Sequence, residues 1–385
     1  MIFKSKLPDI KISPEGIYQY MTSNPSGISD DKIIYVDGLT DKSYTFGKFK
    51  SESKKFAAGL LDEFKFKRGD VVAIFSPNQV DYPIVLMGTI VAGGKVTLVN
   101  PKCTPDQLSF QLTDSNASVL VTHPDLLTVV VSASIKTNVQ ILLFGDREIN
   151  GYKPYRSELI KNYEIEPVVY AQEEAKTTTA YLCYSSGTTG KQKGVEITHR
   201  NVVTNLAQII NFEKDFGSHS IFMGVLPFYH IYALLCGIHL TLICGATAIV
   251  LPDFDVEIFC RCIEKYKINY IHVVPPIILR LVKDPIARKI PIKQAFGLTE
   301  TTFSLYSDSN NIVEGSCGML LQNMEAKLIS DDGDDLEPNK PGELCVRGPN
   351  IMKGYLNNKD ATDATFDKDG FLHTGDIAYV NDQGL

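Results

Sequence analysis

Short β-rich apolar runs alternate along this chain with segments whose apolar residues recur at helical spacing. That alternation restricts the fold more than any other feature. Ile33–Asp37 (IIYVD) reads as a strand, and Phe49, Phe56, Leu60, Leu61 and Phe64 then mark one face of a helix. VVAIF (71–75), KVTLV (95–99) and SVLVT (118–122) are further strands. Between them lie a buried helix closed by glycines, DYPIVLMGTIVAGG, and a second helix, TPDQLSFQLTDSN, with Thr104 as its N-cap. Such alternation predicts an α/β fold with largely parallel sheets, because each crossover helix returns the chain to the same sheet edge. The style repeats after residue 170 and changes after Gly318. There EAKLIS, an acidic turn and GELCVRG predict an antiparallel hairpin. The turn, Asp331-Asp332-Gly333-Asp334-Asp335, lacks EF-hand spacing and is expected to be solvated.

At 385 residues the chain exceeds one ordinary domain. The expected division is an α/β subdomain over 1–170, a second α/β subdomain over 171–317, and a β-rich subdomain over 318–385. A net charge of −7 argues against a nucleic-acid partner, which calls for a basic face. The eight cysteines are scattered, with only Cys260 and Cys262 close together, so reduced thiols in an intracellular protein are expected rather than a zinc site or disulfide framework. The N-terminal MIFKSKLPDI lacks the apolar core of a signal peptide. From Ile231 to Leu251 the chain carries no Asp, Glu, Lys or Arg, a length that would suit a membrane span. Gly245 divides it into an apolar helix and a β-type run, His239 lies inside it, and no basic cluster flanks it. The expectation is therefore a buried segment and no transmembrane helix.

The chemistry concentrates in YLCYSSGTTGKQKGVEITHRN (181–201). Glycines let backbone N–H groups converge on an anion, hydroxyls add donors, and lysines add compact charge. Ser185 to Lys193 supplies all three. The spacing is not that of a Walker A loop, since Gly187 and Gly190 are too close and Gln192 follows Lys191. No G-x-G-x-x-G occurs, and no G-x-S-x-G elbow marks a serine hydrolase. A plain polar hairpin turn is the simpler alternative, which the two lysines disfavour.

YSSGTTGKQKGVEITHRN resembles the phosphate loop of the acyl-adenylate-forming ligases, the family of acyl-CoA synthetases, 4-coumarate–CoA ligases and beetle luciferases. Further resemblances follow in the family's order: LPFYHIY (226–232), QAFGLTE (294–300), KPGELCVRGPNIMKGY (340–355) and GFLHTGDIAYV (370–380). The likeness is strongest to 4-coumarate–CoA ligase-like enzymes. It implies a large domain of two parallel-type sheets with helices plus a small antiparallel β-rich part. It also implies ATP-dependent activation of a fatty or hydroxycinnamic acid to an acyl-adenylate, then transfer to coenzyme A. By resemblance, Ser185, Ser186, Gly187, Thr188, Thr189 and Lys193 hold the β- and γ-phosphates. Thr299 touches the α-phosphate, and Glu300 binds Mg²⁺, for which one carboxylate among waters and phosphates suffices. Gln294, Ala295 and Phe296 border the adenine, with Phe296 stacking in place of the family's tyrosine. Asp376 takes the ribose hydroxyls. His230 sits beside the acyl carboxylate, and Tyr232 lines the acyl pocket, the two close together.

Two departures from the family pattern matter. VVPPIILRLVKDPIARK runs almost directly into IPIKQAFGLTE, where the family has a further βα segment, so the second subdomain is expected to be incomplete near 289–291. The chain also stops at NDQGL, before the family's hinge and its small C-terminal domain with an adenylation lysine. The expectation is an incomplete form of a ligase, with a catalytically impaired nucleotide-binding relative as the alternative. Its expected place is the cytoplasm or the peroxisome.

Overall fold

The computed structural model describes residues 1–134, 137–185, 192–282, 294–307, 313 and 315–381. Among these the strands form four sheets. The largest, of seven strands, runs in the order Gly354–Tyr355, Lys193–Thr198, Thr179–Ser185, Lys95–Val99, Val71–Phe75, Ala117–Thr122 and Gln140–Leu143. Its last five members are parallel, and the Lys193–Thr198 strand runs antiparallel to both of its neighbours. Along Val71–Phe75 every residue is buried. Val72 and Ile74 face the main core, whereas Ala73 and Phe75 face a smaller core with Leu108, Leu112 and Val130 from the helices Pro105–Asp114 and Leu127–Ser134. Burial on both faces explains why this strand reads as a continuous apolar run rather than an alternating one.

A second sheet of five strands takes Ile33–Asp37 and Ser43–Thr45 together with Thr247–Val250, Ile221–Gly224 and Tyr270–Ile271. The main core joins these two sheets through the helices Phe46–Phe64, Tyr82–Val91 and His199–Phe212. Tyr82–Val91 is buried all round, hence its lack of a polar face. The helical reading of Phe49 to Phe64 holds, though Leu61 turns outward. Thr104 caps its helix as expected: its Oγ1 accepts from Gln107 N at 3.3 Å and Gln107 Oε1 accepts from Thr104 N at 2.9 Å.

The uncharged run divides at Gly245, which takes φ +64° after the helical turns Ile231–Ala233, Leu234–His239 (a π-helix) and Leu240–Cys244. Thr247–Val250 then enters the five-stranded sheet, and no described helix is long and apolar enough to cross a membrane. Beyond Gly318, Glu325–Ile329 and Gly342–Arg347 pair antiparallel, as the pattern predicts. Leu372–Ala378 and Phe3–Lys4 complete this four-stranded sheet on its two edges. A three-stranded sheet of Ala295–Phe296, Leu305–Tyr306 and Met319–Leu320 lies between these regions in sequence.

Candidate active site

Strands Thr179–Ser185 and Lys193–Thr198 form the two arms that lead into the glycine-rich turn, in a register that sets Ser185 opposite Lys193. Ser186, Gly187, Thr188 and Thr189 fall outside the described residues. At its mouth, Ser185 Oγ donates to Glu300 Oε1 at 2.9 Å. Tyr355 Oη donates to the same carboxylate oxygen at 3.0 Å. Lys193 Nζ stands over the Tyr355 ring, 4.8 Å from its centre. Tyr355 reaches this place because Gly354–Tyr355 pairs onto the outer edge of the Lys193–Thr198 strand. Burial first, then the Glu300 charge and its hydrogen bond, push the Tyr355 phenol well above its ordinary value, so it remains a donor. A carboxylate, a cation and two hydroxyls thus meet where the loop opens.

Glu300 sits in a tight turn. Thr301 N donates to Leu298 O and Leu298 N to Thr301 Oγ1, while Met352 N donates to Glu300 O at 2.8 Å. Gly297 is required by close approach: a Cβ there would lie 1.7 Å from Thr302 O. Buried amides fix the rest. Asn350 Nδ2 donates to Thr301 O and Phe303 O, at 2.8 and 3.0 Å. Asn205 brackets Phe303, donating to its carbonyl at 2.9 Å and accepting from its N–H at 3.2 Å. Asn201 donates to Pro349 O and Ile351 O, and Gln208 to Gln322 O. Asn201, Asn205 and Gln208 follow helical spacing on His199–Phe212, so one helix face carries a ladder of amides into the Glu300 region. Sequence reasoning missed this ladder and assigned no role to Tyr355. The signal was present: three amides at i, i+4 and i+7 within an apolar helix.

Thr299 is half-buried beside Glu300. The segment before it places Gln294 and Ala295 in the open and Phe296 half-buried, with Ala295 and Phe296 paired to Tyr306 and Leu305. Cys317 Sγ approaches Gln294 Oε1 at 3.9 Å, and burial followed by the Asp376 charge raises the Cys317 thiol. Gln294 thus borders Cys317, a thiol that also feels the Asp376 charge. Asp376 is exposed on a bulge, since between the pairs Glu343–Ile377 and Cys345–His373 the single residue Leu344 faces Thr374, Gly375 and Asp376. Gly375, at φ +76°, makes the bulge possible, and Thr374 Oγ1 both donates to Leu344 O and accepts from Asp376 N.

His230 and Tyr232 turn to different neighbours. His230 stays exposed against Tyr229, ring centres 4.3 Å apart, and the protein crowded around it lowers its pKa. Tyr232 packs edge-on to Phe303 at 5.0 Å and to His272 at 5.9 Å, which links it to the Glu300 turn. A cavity of about 10 Å³, room for one water, lies nearby between Met223, Phe228, Cys236 and His272. All eight cysteines are free thiols.

The AMP-binding enzyme family model matches residues 28–289 and 285–356, two stretches that meet at 285–289. The probable 4-coumarate–CoA ligase 1 of Dictyostelium discoideum is 33% identical over 439 aligned positions, taking in 99% of this chain and 78% of that protein. The 4-coumarate:CoA ligase 1 of Petunia hybrida is 33% identical over 432, with 100% and 77% covered. Both alignments are longer than the chain, so they open gaps on its side. Among solved structures, a long-chain-fatty-acid–CoA ligase from Archaeoglobus fulgidus superposes with a TM-score of 0.87 at 22% identity, over 99% of this chain and 85% of that one. The luciferase-like enzyme of the nonluminescent mealworm Zophobas morio gives 0.85 at 22% identity, over 100% and 97%. The structural likeness establishes the shared fold, and the sequence matches establish kinship. The chain belongs to the AMP-binding enzyme family, as an acid–thiol ligase of the acyl-CoA synthetase kind.

Proposed function

We propose that this chain activates a fatty or hydroxycinnamic acid with ATP, forming an acyl-adenylate and pyrophosphate, and then transfers the acyl group to coenzyme A. The observation that carries the reading is the meeting of Ser185, Lys193 and Tyr355 around Glu300 at the mouth of the glycine-rich turn. Developing negative charge on the phosphates needs donors and cations held in place beforehand. Ser185 and Lys193, with Ser186, Gly187, Thr188 and Thr189, hold the β- and γ-phosphates. Thr299 faces the α-phosphate. Glu300 offers carboxylate oxygens of the kind Mg²⁺ prefers, and its Oε1 is already held by two hydroxyls, so the residues fit a magnesium ion. Bound there, Mg²⁺ would neutralise phosphate charge. Phe296, bordered by Gln294 and Ala295, stacks on adenine, and Asp376 on its bulge accepts from the ribose. His230 lies by the acyl carboxylate and Tyr232 on the pocket wall. We assign the protein to the cytoplasm or peroxisome, in keeping with its free thiols.

A second reading, a nucleotide-binding relative without ligase activity, draws on the family match falling into two stretches that overlap at 285–289, next to the point near 289–291 where a further βα segment is expected to be missing. Pyrophosphate exchange with MgATP and a panel of fatty and hydroxycinnamic acids separates the two. Acid-dependent exchange, lowered about 10²-fold by Glu300→Gln and by Lys193→Ala, is expected for the ligase. MgATP binding without exchange would favour the second reading. Neither exchange nor binding would remove both.

A further inference from the structure

The bulge that carries Asp376 has a second consequence on the other face of the same strands, turned away from the main core that Leu344 and Val346 enter. Glu343 and Cys345 stand two apart on Gly342–Arg347 and so project to one side. Cys345 is paired directly with His373 on Leu372–Ala378. Cys345 Sγ lies 3.7 Å from His373 Nδ1, and His373 Nδ1 lies 3.0 Å from Glu343 Oε2. The three ligand atoms all fall within 4.8 Å of one another. Bonds of about 2.3 Å to sulfur and about 2.0–2.1 Å to nitrogen or oxygen, at tetrahedral angles, put ligand atoms roughly 3.3–3.6 Å apart. The observed separations bracket that spacing.

We propose that Glu343, Cys345 and His373 form a site for one zinc-class divalent cation, bound by carboxylate, thiolate and imidazole with a water in the fourth position. Thiolate with imidazole selects a borderline or soft metal over Mg²⁺ or Ca²⁺. The surroundings orient the donors: Gly375 N–H donates to Glu343 Oε1 at 3.0 Å, leaving Oε2 turned to His373. Lys327, opposite Cys345 on the next strand, is a cation that could oppose the metal, but it is neutralised by Asp367 at 2.5 Å. Binding replaces the Cys345 S–H by an S–metal bond, and the proton passes to the buffer. Cys345 is buried, while Glu343 and His373 each retain about a third or less of their side-chain surface in solvent, so the entry path is from their side. The ion would tie the two strands together directly behind Thr374–Asp376. None of these three residues belongs to the proposed nucleotide contacts, so the site stands or falls independently of them.

The test is titration of the full chain with Co²⁺, followed by competition with Zn²⁺ against a chromophoric chelator. One equivalent of Co²⁺ should give a thiolate-to-metal absorption band that excess Mg²⁺ or Ca²⁺ does not displace and Zn²⁺ does. Cys345→Ser should abolish the band. Glu343→Gln, which can keep the Gly375 hydrogen bond, should weaken Zn²⁺ by more than about tenfold, with circular dichroism unchanged. A band that survives Cys345→Ser belongs to another of the eight thiols and overturns the assignment. So does the absence of any band in a chain that is folded by circular dichroism.

Discussion

Glu300 Oε1 receives two hydroxyls at once, so the position of this carboxylate depends on Tyr355 as much as on its own turn. Tyr355→Phe keeps the ring under Lys193 and removes one hydrogen bond to a charged group. A bond of that kind is worth about 1.5–3 kcal/mol. MgATP affinity is expected to fall roughly tenfold or somewhat more, and Tyr355→Ala, which also loses the cation–π contact, should fall further. Equal affinities for both variants and the parent, measured calorimetrically, would reduce Tyr355 to filling a strand edge. At this scale the sequence disclosed residue types better than positions. Ser185 and Lys193 were singled out from the chemistry of the loop and Glu300 from the family resemblance, and Ser185 bonds Glu300 while Lys193 stands over the Tyr355 that does the same. Tyr355 lay inside a quoted motif, yet nothing local marks it as a partner of Glu300, because the contact spans 55 residues. His230 and Tyr232, two apart in sequence, differ in surroundings that the motif does not disclose: His230 is exposed against Tyr229, and Tyr232 is half-buried against Phe303 and His272.

Among elements, the helix His199–Phe212 does more than cover a sheet. Its amides Asn201, Asn205 and Gln208 satisfy backbone groups of residues 303, 322, 349 and 351 that would otherwise be buried without partners. Asn205→Leu fills the space but strands the Phe303 N–H. The expected cost is about 1–3 kcal/mol, seen as a lower urea midpoint with an unchanged slope, and MgATP affinity should drop more than in a surface variant of equal stability. A midpoint within error of the parent would mean that the ladder is redundant. Elements themselves were largely legible. IIYVD, VVAIF and KVTLV occupy the strands Ile33–Asp37, Val71–Phe75 and Lys95–Val99 residue for residue, because β-branched runs bounded by polar turns leave few alternatives. The pairing of elements was not legible. Phe3–Lys4 against Glu325–Ile329, or Ile33–Asp37 against Thr247–Val250, leaves no periodic mark in either partner.

Across the whole molecule, three histidines, His199 and His239 fully buried and His272 half-buried, are held neutral. Desolvation lowers His199 to about 3, His239 to about 3 and His272 to about 4. His199 Nδ1 accepts from Ile17 N at 3.2 Å, which requires that nitrogen to be unprotonated. The unfolded chain takes up these protons near pH 6.5, whereas the folded chain does so only towards pH 4 and 3. Their contribution to stability is thus complete above about pH 6.5 and is lost as pH falls through that window, at up to about 1.4 kcal/mol per pH unit for each histidine. Urea midpoints taken from pH 7 to pH 4 should fall steeply, and His239→Phe should flatten the slope by about one proton. A parallel slope in that variant would show that His239 titrates normally. The sheets also cross the sequence. The seven-stranded sheet draws on residues 71–143 and 179–198, and then on Gly354–Tyr355 at its edge. A ribosome making about 5–20 residues per second delivers that last strand roughly ten to thirty seconds after Lys193–Thr198 has been made. For that interval the growing chain displays an open strand edge, and over its last part, the 55 residues from Glu300 to Tyr355, a Glu300 turn without its tyrosine. The time for which this edge stays open, rather than the speed of any local folding step, would then set how much of the protein escapes aggregation.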